Sequence, residues 1–153
     1  KWLNTGWGRL PIMTNYREAL RFCEHLNLRF PTSNEWEKAA RGVDGRFYPW
    51  GNRWNSTYGN TMQHNARQLT TERPSSHTLA MEVDSFPSGQ STYGIWDLVG
   101  NVQEFTSDHV MRSWPIKGDD RLAWLFNVLA MEYPWDDGGQ GYVGFRVVRE
   151  GNS

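Results

Sequence analysis

Asp97 and Glu104 are the two side chains of this 153-residue chain whose type and spacing best suit cation binding. They lie in the stretch GIWDLVGNVQEF, residues 94–105, whose glycines indicate a bend too tight for a regular helix or strand. Calcium takes six to eight oxygen ligands, and a bent backbone can turn carbonyl oxygens toward a cation held between two carboxylates. The pattern therefore predicts a cation site. The alternative is a surface turn with solvated acids and three core side chains: Trp96, Val102 and Phe105.

Other metal-ligating or nucleophilic side chains are sparse. Cys23 is the only cysteine, which excludes an internal disulfide and a thiolate zinc cluster. It falls on the apolar face of a predicted helix, so we expect a packed structural thiol. The histidines, which lack HxxxH and facial-triad spacing, are expected to be surface or hydrogen-bonded groups rather than iron ligands: His25, His64, His77 and His109. With no G-x-S-x-G elbow and no phosphate-binding glycine loop, the residues form no catalytic set.

Length, aromatic content and net charge limit the classes of protein and of binding partner that fit this chain. The length suits one domain, residues 1–153, and aromatic residues make up 14% of the chain, which favours a loop-rich fold with aromatics left for a binding surface. A net charge of -1 argues against nucleic acid and anionic membranes as partners. No apolar run is long enough for a transmembrane helix, so membrane insertion is not predicted.

Two helices and one clear strand are predicted. Asn15 and Glu18 form a capping pair before a stripe at helical spacing: Tyr16, Ala19, Leu20, Cys23 and Leu26. Thr32 and Glu35 form a capping box before a second helix, which ends at Gly42. Its predicted buried stripe comprises Trp36, Ala39 and Ala40. Residues 143–149 alternate as a strand, and residues 53–77 show no periodicity and are predicted to form a surface excursion.

Four sequence blocks carry a family resemblance: LRFPTSNEWEKAARG, FYPWGN, YGIWDLVGNVQEFTSD and GFRVV, at residues 28–42, 47–52, 93–108 and 144–148. In this order and spacing they resemble the formylglycine-generating-enzyme, or sulfatase-modifying-factor, family. The resemblance implies an α+β fold of C-type-lectin type, with two helices beside a small twisted, mainly antiparallel sheet and extensive loops. The family's usual N-terminal strand region is expected to be missing or shortened.

The resemblance also implies a calcium site on the bend. Its ligands would be the side chains of Asp97 and Glu104 and the backbone carbonyls of Gly100 and Val102. A second family calcium site would fall in the long loop, where the match is poor. Asn60 and Asn65 are weak candidates there.

Catalysis is where the chain departs from the family. The formylglycine-generating enzymes resembled here use a late cysteine pair to hold copper, whereas residues 118–141 contain no cysteine. A second branch, the sulfoxide synthases, carries its iron histidines largely on another domain. We therefore predict a protein that is not an enzyme. The alternative is an oxidoreductase domain whose metal comes from elsewhere.

One segment departs from the family pattern while its flanks follow it. Between Asp108 and Gly144 the chain lacks the RGGSW block and instead mixes aromatic and acidic residues, typical of a paratope. Residues 112–142 form the candidate variable segment. Its predicted ligand-binding residues are Arg112, Trp114, Asp119, Asp120, Leu122, Trp124, Phe126, Tyr133, Trp135, Asp137 and Tyr142. The alternative is an ordinary core element made of Leu122, Trp124, Phe126, Val128 and Leu129.

The chain has an aromatic-rich segment that departs from the family pattern and is followed by a C-terminal GFRVV. In this respect it resembles the variable proteins of diversity-generating retroelements. The resemblance implies a ligand-binding, receptor-binding module on a virion or cell surface, extracellular, with a macromolecular ligand such as a surface protein. Loop positions anchored at both ends can change without loss of the core. A calcium-dependent carbohydrate-binding lectin is a third possibility, although sugar-bridging glutamate and asparagine pairs are not evident.

Overall fold

The computed structural model describes residues 7–61, 80–113, 131–132 and 143–150. Two helices precede four short strands: α1 (Tyr16–His25), α2 (Ser33–Arg41), β1 (Gln103–Phe105), β2 (Val110–Arg112), β3 (Met131–Glu132) and β4 (Val143–Phe145). Single 3-10 turns occupy Trp7–Arg9 and Pro87–Gly89. This agrees with the predicted α+β class. Within the described residues, no helix is long and apolar enough to cross a membrane.

The four strands form one mixed sheet in the order β3, β2, β1, β4. The β1–β2 and β2–β3 ladders are antiparallel and the β1–β4 ladder is parallel. Glu104 on β1 lies opposite Arg112 on one side and Gly144 on the other. Along the chain, β3 comes between β2 and β4 and pairs with β2 at the edge of the sheet. Because adjacent strands are about 5 Å apart, β2 and β4, on either side of β1, are about 10 Å apart.

Helix α1 begins where its cap predicts and ends one residue earlier than its apolar stripe. The Asn15 side chain accepts a hydrogen bond from the Glu18 backbone N–H at 2.9 Å. Ala19 and Cys23 are fully buried, which confirms the predicted face. Leu26 was predicted to complete that face and is instead 46% exposed. The reason is that the chain reverses after His25 through Asn27, whose φ is +52°.

Helix α2 carries the capping box that its sequence predicts. The backbone N–H of Thr32 donates to Glu35 Oε2 at 2.8 Å, and the backbone N–H of Glu35 donates to Thr32 Oγ1 at 3.2 Å. Gly42 caps the C-terminus with a φ of +66°. Trp36 and Ala40 are buried, whereas the third predicted stripe residue, Ala39, is only half-buried. Both helix termini thus follow from local sequence.

The capping box gives a prediction for Glu35→Gln. Hydrogen bonds from Arg29, and then from the Thr32 backbone, lower the pKa of Glu35 from its ordinary 4.5 to about 2. A lowered folded-state pKa stabilises the fold above the unfolded value, and that contribution disappears as pH falls from 4.5 toward about 2. We expect Glu35→Gln to lower the free energy of unfolding by about 1 kcal/mol at neutral pH.

Urea unfolding of both proteins across this pH range checks the prediction. Near pH 2 the difference between wild type and Glu35→Gln should shrink. Glu24→Gln, on the exposed face of α1, is the matched control and should change the free energy of unfolding by less than about 0.5 kcal/mol. A pH-independent difference for Glu35→Gln would contradict the account.

Two apolar clusters pack the helices against the rest of the fold. The larger lies between α1 and the sheet and comprises Ala19, Cys23, Phe30, Phe105, Met111 and Val143. The smaller consists of Trp36 and Ala40 from α2 with Leu98. Cys23 is therefore the packed thiol predicted from its position. Burial raises the pKa of that thiol above its ordinary value, which keeps it in the neutral form.

The predicted strand over residues 143–149 is shorter than its alternation indicates. β4 follows β1 only as far as Phe145. Val148 instead exchanges two backbone hydrogen bonds with Arg29, at 2.8 and 3.1 Å. The prediction is wrong for residues 146–149, because the chain leaves β1 to pair with the segment between the two helices.

Candidate functional site

The bend predicted over residues 94–105 is present in its first part only. Asp97, Gly100 and Asn101 all have positive φ, at +57°, +85° and +62°. From Gln103 to Phe105 the chain forms β1, one of the two inner strands of the sheet, so Glu104 projects from regular structure rather than from the bend. Trp96, which the solvated-turn alternative placed in the core with Val102 and Phe105, is 38% exposed. The strand thus gives Glu104 a rigid position.

Asn101 holds the bend from inside, a role that sequence reasoning missed. Its side-chain oxygen accepts hydrogen bonds from Asn60 Nδ2 at 3.0 Å and from the Met81 backbone N–H at 2.9 Å. Its amide nitrogen donates to the Met81 carbonyl at 3.0 Å. Asn60, a weak candidate cation ligand, is fully buried in this network. The asparagine in the GNV tripeptide next to a glycine was the available signal, since asparagine tolerates left-handed backbone.

Glu104 is a buried carboxylate with three donors. It is 5% exposed and accepts a hydrogen bond from Trp36 Nε1 at 2.6 Å. Arg146 Nε and Nη2 each donate to one of its oxygens at 2.5 Å, which makes a two-point ion pair. A buried charge is tolerated when it is paired and hydrogen-bonded in this way. The sequence predicted Glu104 as a cation ligand and did not indicate that Trp36 and Arg146 donate hydrogen bonds to it.

Asp97 is half-buried near Glu104 and Arg146. Its Oδ2 accepts a hydrogen bond from the Asp84 backbone N–H at 2.9 Å. Burial is the main cause that raises the pKa of Asp97, and the nearby Glu104 raises it further while Arg146 and the Asp84 backbone hydrogen bond oppose the rise. Asp97, Glu104 and Arg146 together carry one uncompensated negative charge, because one guanidinium faces two carboxylates. A cation would offset that charge.

The two backbone carbonyls predicted to bind calcium, those of Gly100 and Val102, have different surroundings. The Gly100 carbonyl accepts a hydrogen bond from Ser113 Oγ at 3.0 Å, and Val102 is buried. Among the described residues, no three His, Cys, Asp or Glu side chains form a metal-binding group. Two carboxylates fit a cation, and one of them is already paired with Arg146. Calcium would therefore need backbone carbonyls and water for its remaining ligands, and the site stays a prediction.

Calcium titration tests this site. If calcium binds Asp97 and Glu104, 10 mM calcium should raise the free energy of unfolding by about 1–3 kcal/mol, for a site of about 0.1–1 mM affinity. The measurement is the melting temperature with calcium and with chelator. Asp97→Asn should remove the increase and Asp44→Asn, at an exposed pair with Arg46, should keep it. Equal melting temperatures for wild type with and without calcium would remove the calcium proposal.

Arg112 is the only predicted ligand-binding residue within the described ranges, and it lies inside the protein. It is 6% exposed, its Nη2 contacts Glu37 Oε2 at 3.3 Å, and its guanidinium lies 5.9 Å from the Trp36 ring centroid. Nε and Nη1 are buried without a hydrogen-bond partner in the described part of the chain. The other predicted ligand-binding residues fall outside the described residues: Trp114, Asp119, Asp120, Leu122, Trp124, Phe126, Tyr133, Trp135, Asp137 and Tyr142.

An open cavity of about 650 Å³ adjoins the Asp97 and Glu104 carboxylates. Its walls come from the segment before α1, from α1 itself, from residues 83–84, from the bend, from β1 and from the end of β4. Apolar side chains dominate these walls, and Asp84, Asp97, Glu104 and Arg146 supply the charged groups. Sequence reasoning did not predict this cavity, because its walls come from segments far apart in the chain.

Comparison with known proteins identifies the family. The family profile described as "Sulfatase-modifying factor enzyme 1-like domain" matches residues 6–151. The chain belongs to this family. This confirms the resemblance drawn from the four sequence blocks and agrees with the two helices and mixed sheet of the fold.

Relatives within the family differ in what their names say about activity. The chain is 38% identical over 100 residues to mouse "Inactive C-alpha-formylglycine-generating enzyme 2", covering 64% of this chain and 32% of that protein. It is 35% identical over 103 residues to mouse "Formylglycine-generating enzyme", covering 64% and 27%. It is 34% identical over 103 residues to "Hercynine oxygenase" of Mycolicibacterium smegmatis, covering 64% and 21%. The chain thus spans about a third or less of these relatives.

Proposed function

We propose that this family member is a non-catalytic ligand-binding module on a C-type-lectin-like scaffold. The observation that carries the proposal is the position of the only cysteine. Cys23 lies on the buried face of α1 with 1% exposure, so it can supply neither a reactive thiol nor a pair of copper ligands. A mouse relative whose name includes "Inactive" is consistent with a family that has non-catalytic members.

We further propose that residues 112–142 are the variable segment of a diversity-generating retroelement protein. The sheet register supports this, because Arg112 and Gly144 flank the same residue of β1, Glu104. Arg112 and β3 (Met131–Glu132) belong to the sheet. The rest of the segment has its two ends held about 10 Å apart by β1, so it can change in sequence without changing the core. The expected ligand is a macromolecule, such as a surface protein, met at a virion or cell surface.

The segment's aromatic residues should then dominate binding. Replacing Trp114 and Trp135 together by alanine should weaken binding to a captured ligand by at least about 2 kcal/mol, or roughly thirtyfold, because desolvated aromatic anchors carry most interface energy. The measurement is surface plasmon resonance. Phe47→Ala, an exposed aromatic on the scaffold, is the matched control and should leave affinity unchanged. Unchanged affinity for the double variant would place the binding surface elsewhere.

Sequencing the gene across a population tests the retroelement part separately. We expect substitutions to concentrate between residues 112 and 142, with a near-copy template repeat beside a reverse transcriptase gene. The scaffold residues Trp36, Glu104 and Arg146 should stay constant, because they share one buried ion pair. An invariant segment without a template would overturn this part and leave the binding module standing.

An oxidoreductase domain is the second candidate, favoured by the similarity to hercynine oxygenase. On this alternative a further domain would supply the metal. Metal analysis of the protein in its native, full-length form decides between the two: stoichiometric copper or iron would favour the oxidoreductase, and calcium alone would favour the binding module.

A further inference from the structure

Residues 55–57, with the sequence Asn-Ser-Thr, form the only complete Asn-x-Ser/Thr tripeptide of the 153-residue chain in which the middle residue is not proline. This tripeptide is the acceptor signal for N-linked sugars and is found on surface loops of secreted proteins. Such a tripeptide also occurs by chance. The surroundings of Asn55 in the fold therefore decide whether a sugar can be attached there.

The side-chain oxygen of Asn55 is used within its own loop. Asn55 Oδ1 accepts hydrogen bonds from the Thr57 backbone N–H at 3.0 Å and from Thr57 Oγ1 at 2.8 Å. The Asn55 backbone carbonyl accepts the Tyr58 N–H at 3.2 Å, which closes a turn over residues 55–58. The acceptor residue and the hydroxyl residue of the tripeptide are thus in direct contact at a turn.

The side-chain nitrogen of Asn55 is available for modification. It has no hydrogen-bond partner in the described part of the chain, where the only buried side-chain nitrogens without a partner belong to Arg112. Asn55 is half-buried and Thr57 is exposed. An N-linked sugar replaces one hydrogen of the amide nitrogen and leaves the amide oxygen in place. A sugar at Asn55 therefore breaks none of the hydrogen bonds that hold the turn.

Other asparagines of the fold differ from Asn55 in this respect. Asn60 Nδ2 donates to Asn101 Oδ1 at 3.0 Å, and Asn101 Nδ2 donates to a backbone carbonyl at 3.0 Å. A sugar on either nitrogen would disrupt the buried network that holds the bend. Asn34, on α2, is exposed but lies outside any acceptor tripeptide. Asn55 combines the tripeptide with a nitrogen that the fold does not use.

We propose that Asn55 carries an N-linked oligosaccharide. The donor is an oligosaccharide on a lipid pyrophosphate, which a sugar-transferring enzyme brings to the chain. Asn55 Nδ2 forms a bond to the anomeric carbon of the first sugar, the bond from that carbon to the pyrophosphate oxygen breaks, and the amide nitrogen gives up one proton. The inference rests on the proposed extracellular or surface setting, because such enzymes modify exported proteins.

An aromatic cluster anchors the loop independently of the tripeptide. The rings of Tyr48, Trp50 and Trp54 have centroids between 5.2 and 5.9 Å apart, and Trp50 meets Tyr58 edge-on at 5.6 Å. Trp54 and Tyr58 flank the tripeptide on either side. Aromatic pairs of this kind stabilise a fold beyond their burial. Substitutions within residues 55–57 should therefore leave the protein folded.

Mass spectrometry of the protein isolated from its natural source tests the proposal. Peptides that contain Asn55 should carry the mass of a sugar chain. Peptide-N-glycosidase in water labelled with heavy oxygen should remove that mass and convert Asn55 to labelled aspartate. Unmodified Asn55 in all of these peptides would overturn the proposal.

Variants expressed in the same host separate the acceptor signal from the turn. Asn55→Gln removes the acceptor and Ser56→Pro blocks the signal, so each should abolish the sugar. Proline is favoured at the second position of a turn, so Ser56→Pro should fold, which circular dichroism checks. Thr57→Ser keeps the hydroxyl and should keep the sugar. Asn34→Gln is the matched control and should also keep it. A sugar that survives Ser56→Pro would place the attachment elsewhere and overturn the assignment.

The sugar and the proposed binding function can fail separately. A protein that binds a macromolecular ligand through Trp114 and Trp135 and has an unmodified Asn55 would overturn the sugar and leave the binding module standing. A protein with a sugar on Asn55 and no effect of the two tryptophans on binding would support the sugar and overturn the proposed binding surface.

Discussion

Replacing Glu104 by alanine is expected to lower the free energy of unfolding by about 3–5 kcal/mol. Glu104 is the only carboxylate that contacts Arg146 in the described part of the chain, and it also accepts the indole N–H of Trp36. Removal of this carboxylate leaves a largely buried guanidinium without its counter-charge. The cost of that unpaired charge, rather than the attraction lost, accounts for most of the expected effect.

Urea unfolding measures this loss of stability. Glu104→Gln separates the lost charge from the lost hydrogen bond, and Glu150→Gln is the control at an exposed ion pair. Glu104→Gln keeps an acceptor for Trp36 and loses the charge, so it should cost less than alanine. Glu150→Gln removes the charge of a carboxylate that is 80% exposed and contacts Arg29 at 3.3 Å. It should cost less than about 1 kcal/mol, since exposed ion pairs contribute little. A cost below about 1 kcal/mol for Glu104→Ala would show that the buried pair does not hold the sheet.

Gly100→Ala is expected to destabilise the protein by about 3 kcal/mol or more. Gly100 has a φ of +85°, and a Cβ atom there would lie 2.3 Å from the Asn60 carbonyl oxygen and 2.8 Å from its carbon. These are backbone atoms of a fully buried residue whose carbonyl accepts the Asn101 N–H at 2.9 Å. The neighbour therefore cannot move away without breaking that hydrogen bond.

Gly94→Ala separates the steric clash from the backbone conformation. Gly94 has a similar φ of +73°, and nothing lies within 4 Å of a Cβ atom built there. This control should cost only the left-handed backbone penalty of about 1 kcal/mol. The difference between the two variants in chemical unfolding measures the close approach to Asn60. Equal losses of unfolding free energy in the two variants would show that the Asn60 backbone shifts to accommodate the added methyl group.

Local features were predictable because a few neighbouring residues decide them. The Asn15 and Thr32 caps and the Gly42 terminus depend on hydrogen bonds within one helical turn, and the structure has all three. The family assignment was also predictable, since four ordered sequence blocks carry it. The burial of Cys23 followed from its place on a helical stripe.

Predictions failed where a side chain's surroundings come from distant parts of the chain. Leu26 lies at helical spacing yet is exposed, because the chain reverses just before it. Trp96, which the surface-turn alternative placed in the core, lines an open cavity instead. The ligand-binding role of Arg112 stays a prediction, and the structure places its side chain against Trp36 and Glu37, which α2 brings over the sheet.

The sequence by itself determined the helix ends, the family and the single buried thiol, since these rest on local hydrogen bonding and on residue identity. Only the tertiary structure decided what Asp97 and Glu104 do. Glu104 lies 68 residues from Trp36 and 42 from Arg146 in the chain, and the fold alone brings the three together. That pairing makes Glu104 part of the scaffold, and the fold also brings Asp97 to the Asp84 backbone N–H, 13 residues away.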